Sequence, residues 1–198
     1  MSQRDAILEL VRAAHPSATP LPDLSQPWTT YEDPVGQFRE VLEVVGGTLH
    51  TVADLDEADT VIREMPVWQE ATARVSLVPG VSDTTFDYAA VDDPRLLRDV
   101  DLAVLPAQFA VAENAAVWVP CEDALERTLN FLSQHVVYVL SGEDVGPLNT
   151  MHEAYARADI RRTPFGVFVA GPSKTADIEQ SLVIGAHGAR SLSVLLVG

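Results

Sequence analysis

Cysteine is nearly absent from this sequence. Cys121 is the only one, so the chain cannot form an intrachain disulfide, and this composition is consistent with a reducing compartment. Long apolar runs are also missing: no stretch reaches the roughly 18 apolar residues that a membrane-spanning helix needs. The first residues carry charges instead of an apolar core. We therefore expect a cytoplasmic protein without a signal peptide or a membrane span.

Positive charge is scarce. The chain has 13 Lys and Arg against 29 Asp and Glu, a formal net charge of −16. Phosphate backbones and anionic lipids repel such a chain, which argues against nucleic acid and membranes as partners. A site for an anion must therefore be built locally, from backbone N–H groups and a few cations. His, Cys and carboxylate residues nowhere have the spacing of a metal site, so we predict no tightly bound metal.

Apolar residues are plentiful, at 47% of 198 residues, which suits one globular domain. Short apolar runs predict buried strands at Val100 to Leu105, Ala115 to Val119, Val136 to Leu140, Gly166 to Ala170 and Ser191 to Val197. Helical patterns lie at Pro94 to Arg98, Glu122 to Leu132, Val145 to Ala158 and Lys174 to Ala186. This alternation predicts an α/β fold of three αβα layers with a mostly parallel open sheet. Ligands of such sheets bind at the carboxyl ends of the strands.

The N-terminal part differs in composition from the rest. Residues 2–14 have a helical pattern, with Ile7, Leu10 and Val11 on one face. Four prolines follow between His15 and Trp28, which predicts an extended segment. We therefore divide the chain into a helix and proline-rich arm, residues 1–30, and an α/β domain, residues 31–198. Arms of this kind often cross to another subunit, so a homo-oligomer formed through the arm is one expectation.

A glycine turn follows the predicted strand at Gly166 to Ala170. Its sequence, Gly-Pro-Ser-Lys-Thr from Gly171, is expected to lead into the helix at residues 174–186. Backbone N–H groups at such a helix start can bind an anion. The candidate ligand-binding residues here are Gly171, Ser173, Lys174, Thr175 and Asp177. The alternative is that Ser173 or Thr175 only caps the helix, with Asp177 as a favourable carboxylate in the first turn.

The predicted helix ends near Gly185, where His187 and Arg190 lead to the last strand. One of these side chains could bind a carboxylate or phosphate, and the other could move a proton. Alternatively, Gly188 ends the helix and the two basic residues complement its C-terminal dipole.

Two segments together carry a family resemblance. Gly-Pro-Ser-Lys-Thr-Ala-Asp-Ile-Glu from Gly171, followed by Gly-Ala-His-Gly-Ala-Arg from Gly185 and an apolar strand, resembles the C-terminal signature of the LUD-domain family, in the group of lactate-utilisation protein C. A weaker similarity extends upstream to about Pro34. The resemblance implies the fold shared by glucosamine-phosphate deaminases, ribose-phosphate isomerases and CoA transferases.

The resemblance also implies a link to L-lactate oxidation, in which such proteins accompany iron–sulfur partner subunits. With Cys121 alone, this chain cannot hold a four-cysteine cluster. We therefore expect it to bind no cofactor directly, and we expect iron–sulfur clusters only in partner subunits.

The segment around Glu113 departs from the family pattern. The family commonly has Gly-x-Ala-Glu-Thr-Gly-Thr before a strand, and here Asn114 and Ala115 replace Thr-Gly. Ala-Glu-Asn is also similar to the Ser-Glu-Asn-Gly motif of family I CoA transferases, whose Glu is the nucleophile. Glu113 is therefore the candidate catalytic residue, with Asn114 as a further ligand contact. Alternatively, Glu113 is a loop carboxylate and Asn114 forms an Asx-turn.

Three functions follow from these features. The first is an accessory subunit of L-lactate oxidation that binds a small anionic metabolite. The second is an enzyme of the CoA-transferase or sugar-phosphate-isomerase kind that uses Glu113. The third is a non-catalytic protein–protein scaffold that acts through the N-terminal arm. The sequence leaves open whether the protein is an enzyme.

Overall fold

A computed structural model describes residues 2–14, 19–23, 27–142, 146–176 and 180–198. Its strands in chain order are β1 (Thr48–Val52), β2 (Arg74–Ser76), β3 (Leu102–Ala107), β4 (Phe109–Val111), β5 (Ala116–Cys121), β6 (His135–Leu140), β7 (Phe165–Val169), β8 (Lys174–Thr175), β9 (Val183–Ile184) and β10 (Ser191–Val197). Its α-helices are α1 (Gln3–Ala13), α2 (Pro34–Val44), α3 (Leu55–Glu64), α4 (Pro66–Glu70), α5 (Ala124–Leu132) and α6 (Met151–Arg157). Over these described ranges, every helix is too short or too polar to cross a membrane.

The central sheet has five strands in the order β1-β10-β6-β3-β2, and every neighbouring pair is parallel. Alternate residues of each strand face opposite sides. On the side we call the front face, Val136 and Tyr138 of β6 pack with α2 and α5. On the rear face, Val137 and Val139 pack with α3. The sheet thus lies between two helical layers, and the predicted three-layer α/β fold with a mostly parallel sheet is confirmed.

Two predicted strands do not belong to the parallel sheet. β5 and β7 pair antiparallel, and with β4 they form a separate three-stranded sheet. Residues of β5 and β7 pack on the front face of the central sheet. An apolar run shows that a strand is buried but not which strand it pairs with, so the sequence did not separate the two sheets.

The helix predicted at residues 174–186 is wrong. Where the structure describes this stretch, it contains the two-stranded hairpin of β8 and β9, with Lys174 opposite Ile184 and Thr175 opposite Val183. The Ser173 N–H donates to the Ala189 carbonyl, and the Gly185 N–H donates to the Ser173 carbonyl. β-Branched side chains favour strands, and these residues are paired across the hairpin. The candidate Asp177 lies outside the described residues.

The proline-rich segment contacts its own domain just before α2. The Trp28 ring stacks on His152 of α6 with 3.7 Å between ring centroids. Close by, at the start of the α/β domain, the Tyr31 N–H donates to Asn149 Oδ1 at 2.8 Å. α1 is different: within its described residues none is buried, and Leu10 and Val11 are 71% and 58% exposed. The predicted apolar face of α1 therefore exists, and its Leu10 and Val11 side chains are exposed.

Candidate functional site

A cavity of about 200 Å³ lies beneath the Gly171 turn, and we call it the front cavity. Its walls include Asn130, Tyr138, Val169, Gly171, Ser173 and His187. Val136 and Leu192 also line it, and each is the second residue of its parallel strand. The front cavity therefore lies near the amino ends of β6 and β10. The expectation that this motif would lie at the carboxyl ends of the strands is wrong.

Gly171 is buried and has a left-handed backbone, with φ of 75°. A Cβ at this position would lie 2.7 Å from the Val45 carbonyl oxygen, just after α2. The turn is therefore pressed against the end of α2, and only glycine suits both the backbone angle and the space. This contact fixes the position of the following residue pair, including Ser173, at the cavity wall.

The anion site predicted from a helix start loses its physical basis here. No helix begins in the described residues after Gly171, so no helix dipole points at the cavity. The Ser173 N–H already donates to Ala189. Ser173 is half-buried and lines the cavity, so its hydroxyl is the group of this turn that can bind a ligand.

Lys174 and Thr175 turn away from the front cavity into β8. The exposed Lys174 has its Nζ 3.6 Å from the Cβ position of Gly46, which follows the C-terminal end of α2. A cation at the C-terminus of a helix complements its dipole. Lys174 therefore lies at the C-terminal end of α2 and is not among the described residues that line the front cavity.

Buried polar residues at the cavity wall form a chain of hydrogen bonds. Tyr138 is fully buried, and its hydroxyl donates to Asn130 Oδ1 at 2.8 Å. The Asn130 amide donates to the Glu126 carbonyl at 2.9 Å and to Cys121 Sγ at 3.5 Å. Both donors of Asn130 and the proton of Tyr138 are therefore used within the protein.

Burial raises the pKa of two groups in this set of hydrogen bonds. It raises the pKa of the Tyr138 hydroxyl well above its usual range and that of the Cys121 thiol to about 11. Both groups are therefore neutral near pH 7. Neither Asn130 nor Tyr138 is among the residues predicted from the sequence, because each looks like an ordinary helix or strand residue. Their only signal was a polar group on an otherwise apolar face.

The opening of the front cavity is formed by the turn before β10. His187 is exposed, and the Cβ position of Gly188 lies 3.1 Å from the Ser173 Cβ, so a larger residue there would crowd Ser173. An outer groove of about 440 Å³ shares His187 and Phe131 with the cavity and adds Arg98. Two basic side chains thus border the approach to the cavity.

Arg190 lies apart from His187 although the two are close in sequence. It lines a different pocket with Val67 and Glu70 of the rear helices, and its N–H donates to the Gln134 carbonyl at 2.7 Å. In the last turn before β10, His187 therefore lies on the front face of the central sheet and Arg190 lies on its rear face. The structure does not bring these two predicted ligand-binding residues into one site.

Glu113 is exposed and accepts a hydrogen bond from the first residue of α6, whose N-cap is Thr150. Its Oε2 accepts from the Met151 N–H at 2.8 Å, and Asn114 Oδ1 accepts from the Ala116 N–H at 3.1 Å, the predicted Asx-turn. Val117 pairs with Val169 in antiparallel register. Ala115, two residues before Val117, and Gly171, two residues after Val169, therefore lie at the same end of the small sheet. Glu113 is not among the described residues that line the front cavity.

Ala115 explains one departure from the family pattern. Its φ is 57°, a left-handed backbone that favours glycine, and it is 1% exposed. The turn keeps the backbone shape that a glycine would adopt there.

Comparison with known proteins places the chain among relatives. Residues 89–197, more than half of the chain, match the LUD domain. Lactate utilization protein C of Exiguobacterium sp. is 29% identical over 179 residues, covering 81% of this chain and 78% of that protein. Lactate utilization protein C of Geobacillus thermodenitrificans is 30% identical over 104 residues, covering 50% of this chain and 43% of that protein.

The fold has a counterpart among solved structures. A DUF162 family protein from Deinococcus radiodurans has a TM-score of 0.57 to this chain with 18% identity, covering 83% of this chain and 96% of that one. The resemblance first suggested by the segments from Gly171 and Gly185 is confirmed by the match over residues 89–197. The chain belongs to the LUD-domain family.

Proposed function

We propose that this protein is a component of lactate utilisation that binds a small organic anion in the front cavity. The observation that carries the proposal is the convergence of Ser173, His187 and the Tyr138–Asn130 pair on a partly enclosed space of about 200 Å³. Sites for small molecules combine apolar walls with a few polar groups that fix orientation. The names of the relatives supply the link to lactate.

Charge supports an anion over a cation in this place. The chain has a net charge of −16, yet two basic side chains, His187 and Arg98, line the outer groove, and Arg98 Nε lies 3.6 Å from Asp99 Oδ1. An anionic group at the opening would meet the Ser173 hydroxyl and the His187 ring. The apolar part of the ligand would pack on Val169 and Leu192.

We place the redox chemistry of lactate oxidation in partner subunits. Iron–sulfur clusters are held by cysteine thiolates, and this chain has only Cys121, which is buried. In this proposal the protein binds the metabolite and iron–sulfur partners transfer the electrons.

Ligand binding should depend on Ser173 and His187. We expect L-lactate, pyruvate or another member of a panel of carboxylates, sugar phosphates and CoA esters to raise the melting temperature in a saturable way. Ser173→Ala and His187→Gln should each weaken that binding about 3- to 10-fold, because each removes one hydrogen bond. Isothermal titration calorimetry measures the change.

Two matched substitutions serve as controls. Ser141→Ala removes an exposed hydroxyl just beyond β6, at the opposite edge of the sheet, and His152→Gln changes an exposed histidine on α6. Both should leave the affinity unchanged. Unchanged melting temperatures across the whole panel, or equal losses in the control variants, would refute the proposal.

The enzyme reading with Glu113 as nucleophile stays a prediction. One observation favours it, because the β5–β7 register brings the Glu113 segment and the Gly171 turn to the same end of the small sheet. Another weakens it: the carboxylate is exposed and engaged by the Met151 N–H, whereas a nucleophile needs a closed and desolvated site. Anion binding is therefore the function that the geometry supports better.

We also propose that α1 pairs with a second copy of the chain. Its apolar side chains Leu10 and Val11 are exposed. In α1, Arg4 and Arg12 balance Asp5 and Glu9, so this helix can approach the acidic surface of a second copy without net repulsion.

Self-association should therefore be sensitive to the apolar face of α1. We expect the mass of the full chain to rise with concentration, and Leu10→Glu to weaken association about tenfold or more by placing a charge in the contact. Analytical ultracentrifugation measures both. Val44→Glu is the control, since Val44 is 83% exposed on α2. A monomer at every concentration, or an equal effect of the control, would contradict the proposal.

A further inference from the structure

A second pocket lies on the rear face, at the amino ends of β3, β6 and β10. We call it the rear pocket. It encloses about 200 Å³ and is lined by Val67, Glu70, Asp101, Gln134, His135 and Arg190, together with Ala71. The central sheet separates it from the front cavity, because the residues of α4 that line it pack on the rear face. The proposed lactate-related function uses none of these side chains.

Arg190 is the cation of the rear pocket. It is exposed, and among the described residues no carboxylate lies within ion-pair distance of its guanidinium. Arg190 nevertheless lines a pocket that also contains Glu70 and Asp101. A planar guanidinium with free N–H groups is suited to hold a carboxylate with two hydrogen bonds.

His135 and Asp101 are held in place by their neighbours. His135 Nδ1 lies 2.7 Å from Ser191 Oγ. Asp101 Oδ2 accepts from the N–H and hydroxyl of Thr72 and from the Ala73 N–H, each at 2.9 Å. These bonds, led by the one from Ala73, lower the pKa of Asp101, so it carries a negative charge near pH 7. Asp101 Oδ1 and the second ring nitrogen of His135 have no hydrogen bond to the described residues.

The charges around His135 are of both signs. Burial, and then Arg190, lowers the pKa of His135, while Asp101 and Glu70 act in the opposite direction. The imidazole is therefore mostly neutral near pH 7, and the pocket contains one positive and two negative side chains. A simple anion would be attracted by Arg190 but repelled by Glu70 and Asp101. A molecule that carries a negative and a positive charge would pair with Arg190 and with the two carboxylates at the same time.

We propose that the rear pocket binds a small amino acid as its zwitterion. The carboxylate pairs with Arg190, the ammonium group pairs with Glu70 and Asp101, and a short side chain packs on Val67 and Ala71. The pocket has a volume of about 200 Å³, which leaves room for a small ligand beside Val67 and Ala71. That suits an amino acid of the size of glycine, alanine or serine.

The test compares ligands that carry both charges with ligands that carry one. Calorimetric titration of the full chain with glycine, L-alanine and L-serine should show saturable binding, while propionate and ethylamine should bind about tenfold more weakly or worse. Arg190→Gln and Glu70→Gln should each weaken amino-acid binding about tenfold. Glu70→Gln should at the same time narrow the gap between alanine and propionate, because it removes the repulsion of a carboxylate.

Controls separate this site from the front cavity. Arg98→Gln changes an exposed arginine of the outer groove, and Glu64→Gln changes an exposed carboxylate at the end of α3, so neither should alter amino-acid binding. Imidazole ¹⁵N resonances report the place directly: L-alanine should shift those of His135 and leave those of His187 unchanged. Folding of each variant is verified by circular dichroism, and Arg190→Lys should keep part of the affinity.

Several results would overturn the proposal. They are the absence of binding by all three amino acids, binding of propionate as tight as that of alanine, and His135 resonances that do not move at saturation. Loss of anion binding in Ser173→Ala or His187→Gln bears on the front cavity alone, so the two proposals can fail separately.

Discussion

Replacing Gly171 by alanine is expected to lower the free energy of unfolding by about 2–4 kcal/mol. Two effects add. The left-handed backbone, with φ of 75°, disfavours any side chain, and the new Cβ would lie 2.7 Å from the Val45 carbonyl oxygen. That oxygen belongs to the backbone, so relieving the contact requires moving the turn or the end of α2. Urea denaturation followed by circular dichroism measures the loss, which corresponds to a fall in Tm of roughly 5–15 °C.

Gly80 provides the matched control. Its φ is 79°, close to that of Gly171, but no atom lies within 4 Å of its Cβ position. Gly80→Ala should therefore show only the cost of the left-handed backbone, about 1–2 kcal/mol. The difference between the two variants isolates the contact with Val45. Equal losses would show that the Gly171 turn is not pressed against α2.

The regular elements of the fold could be predicted from local patterns. The sequence predicts a strand at Ser191 to Val197, and β10 has those bounds, because an apolar run of strand length follows the turn at Gly188. Partner choice could not be predicted in the same way. Whether β5 pairs with β6 or with β7 depends on contacts between distant residues, which apolar runs do not encode.

Residues 174–186 show a different kind of error. The i,i+4 spacing of Ile178 and Leu182 fits one face of a helix, but the same stretch contains Thr175, Val183 and Ile184, which favour strands. The N–H groups of Ser173 and Gly185 find partners across the hairpin. Pairing across the hairpin, which is a tertiary contact, therefore outweighed the local preference for a helix.

The candidate site was predicted in part. The sequence pointed to Gly171, Ser173 and His187, which line one cavity, but it joined Arg190 to them. Successive strand residues face opposite sides of a sheet, so a turn that enters β10 can supply one face with His187 and the other with Arg190. The short segment from His187 to Arg190 therefore contributes to both the front cavity and the rear pocket. If a ligand in one of them moved this turn, the two sites would be coupled.

Replacing Tyr138 by phenylalanine is expected to cost about 1–3 kcal/mol of stability. The ring keeps its packing, since only the hydroxyl is lost, but Asn130 Oδ1 loses its 2.8 Å donor while it is buried. A buried acceptor without a partner costs more than the hydrogen bond itself contributes. Urea denaturation measures the change. Tyr155→Phe is the control, because Tyr155 is 58% exposed, and its effect should stay within about 0.5 kcal/mol.

A double-mutant cycle determines whether the effect comes from the Tyr138–Asn130 pair. Asn130→Leu leaves the Tyr138 hydroxyl without its acceptor and also removes the bond to the Glu126 carbonyl. In the double variant the buried donor and acceptor are both gone, so its loss should be smaller than the sum of the single losses by about 1–2 kcal/mol. Additive losses would mean that the pair does not interact in solution. A coupled pair would show that this hydrogen bond holds Tyr138 and Asn130 in place at the wall of the front cavity.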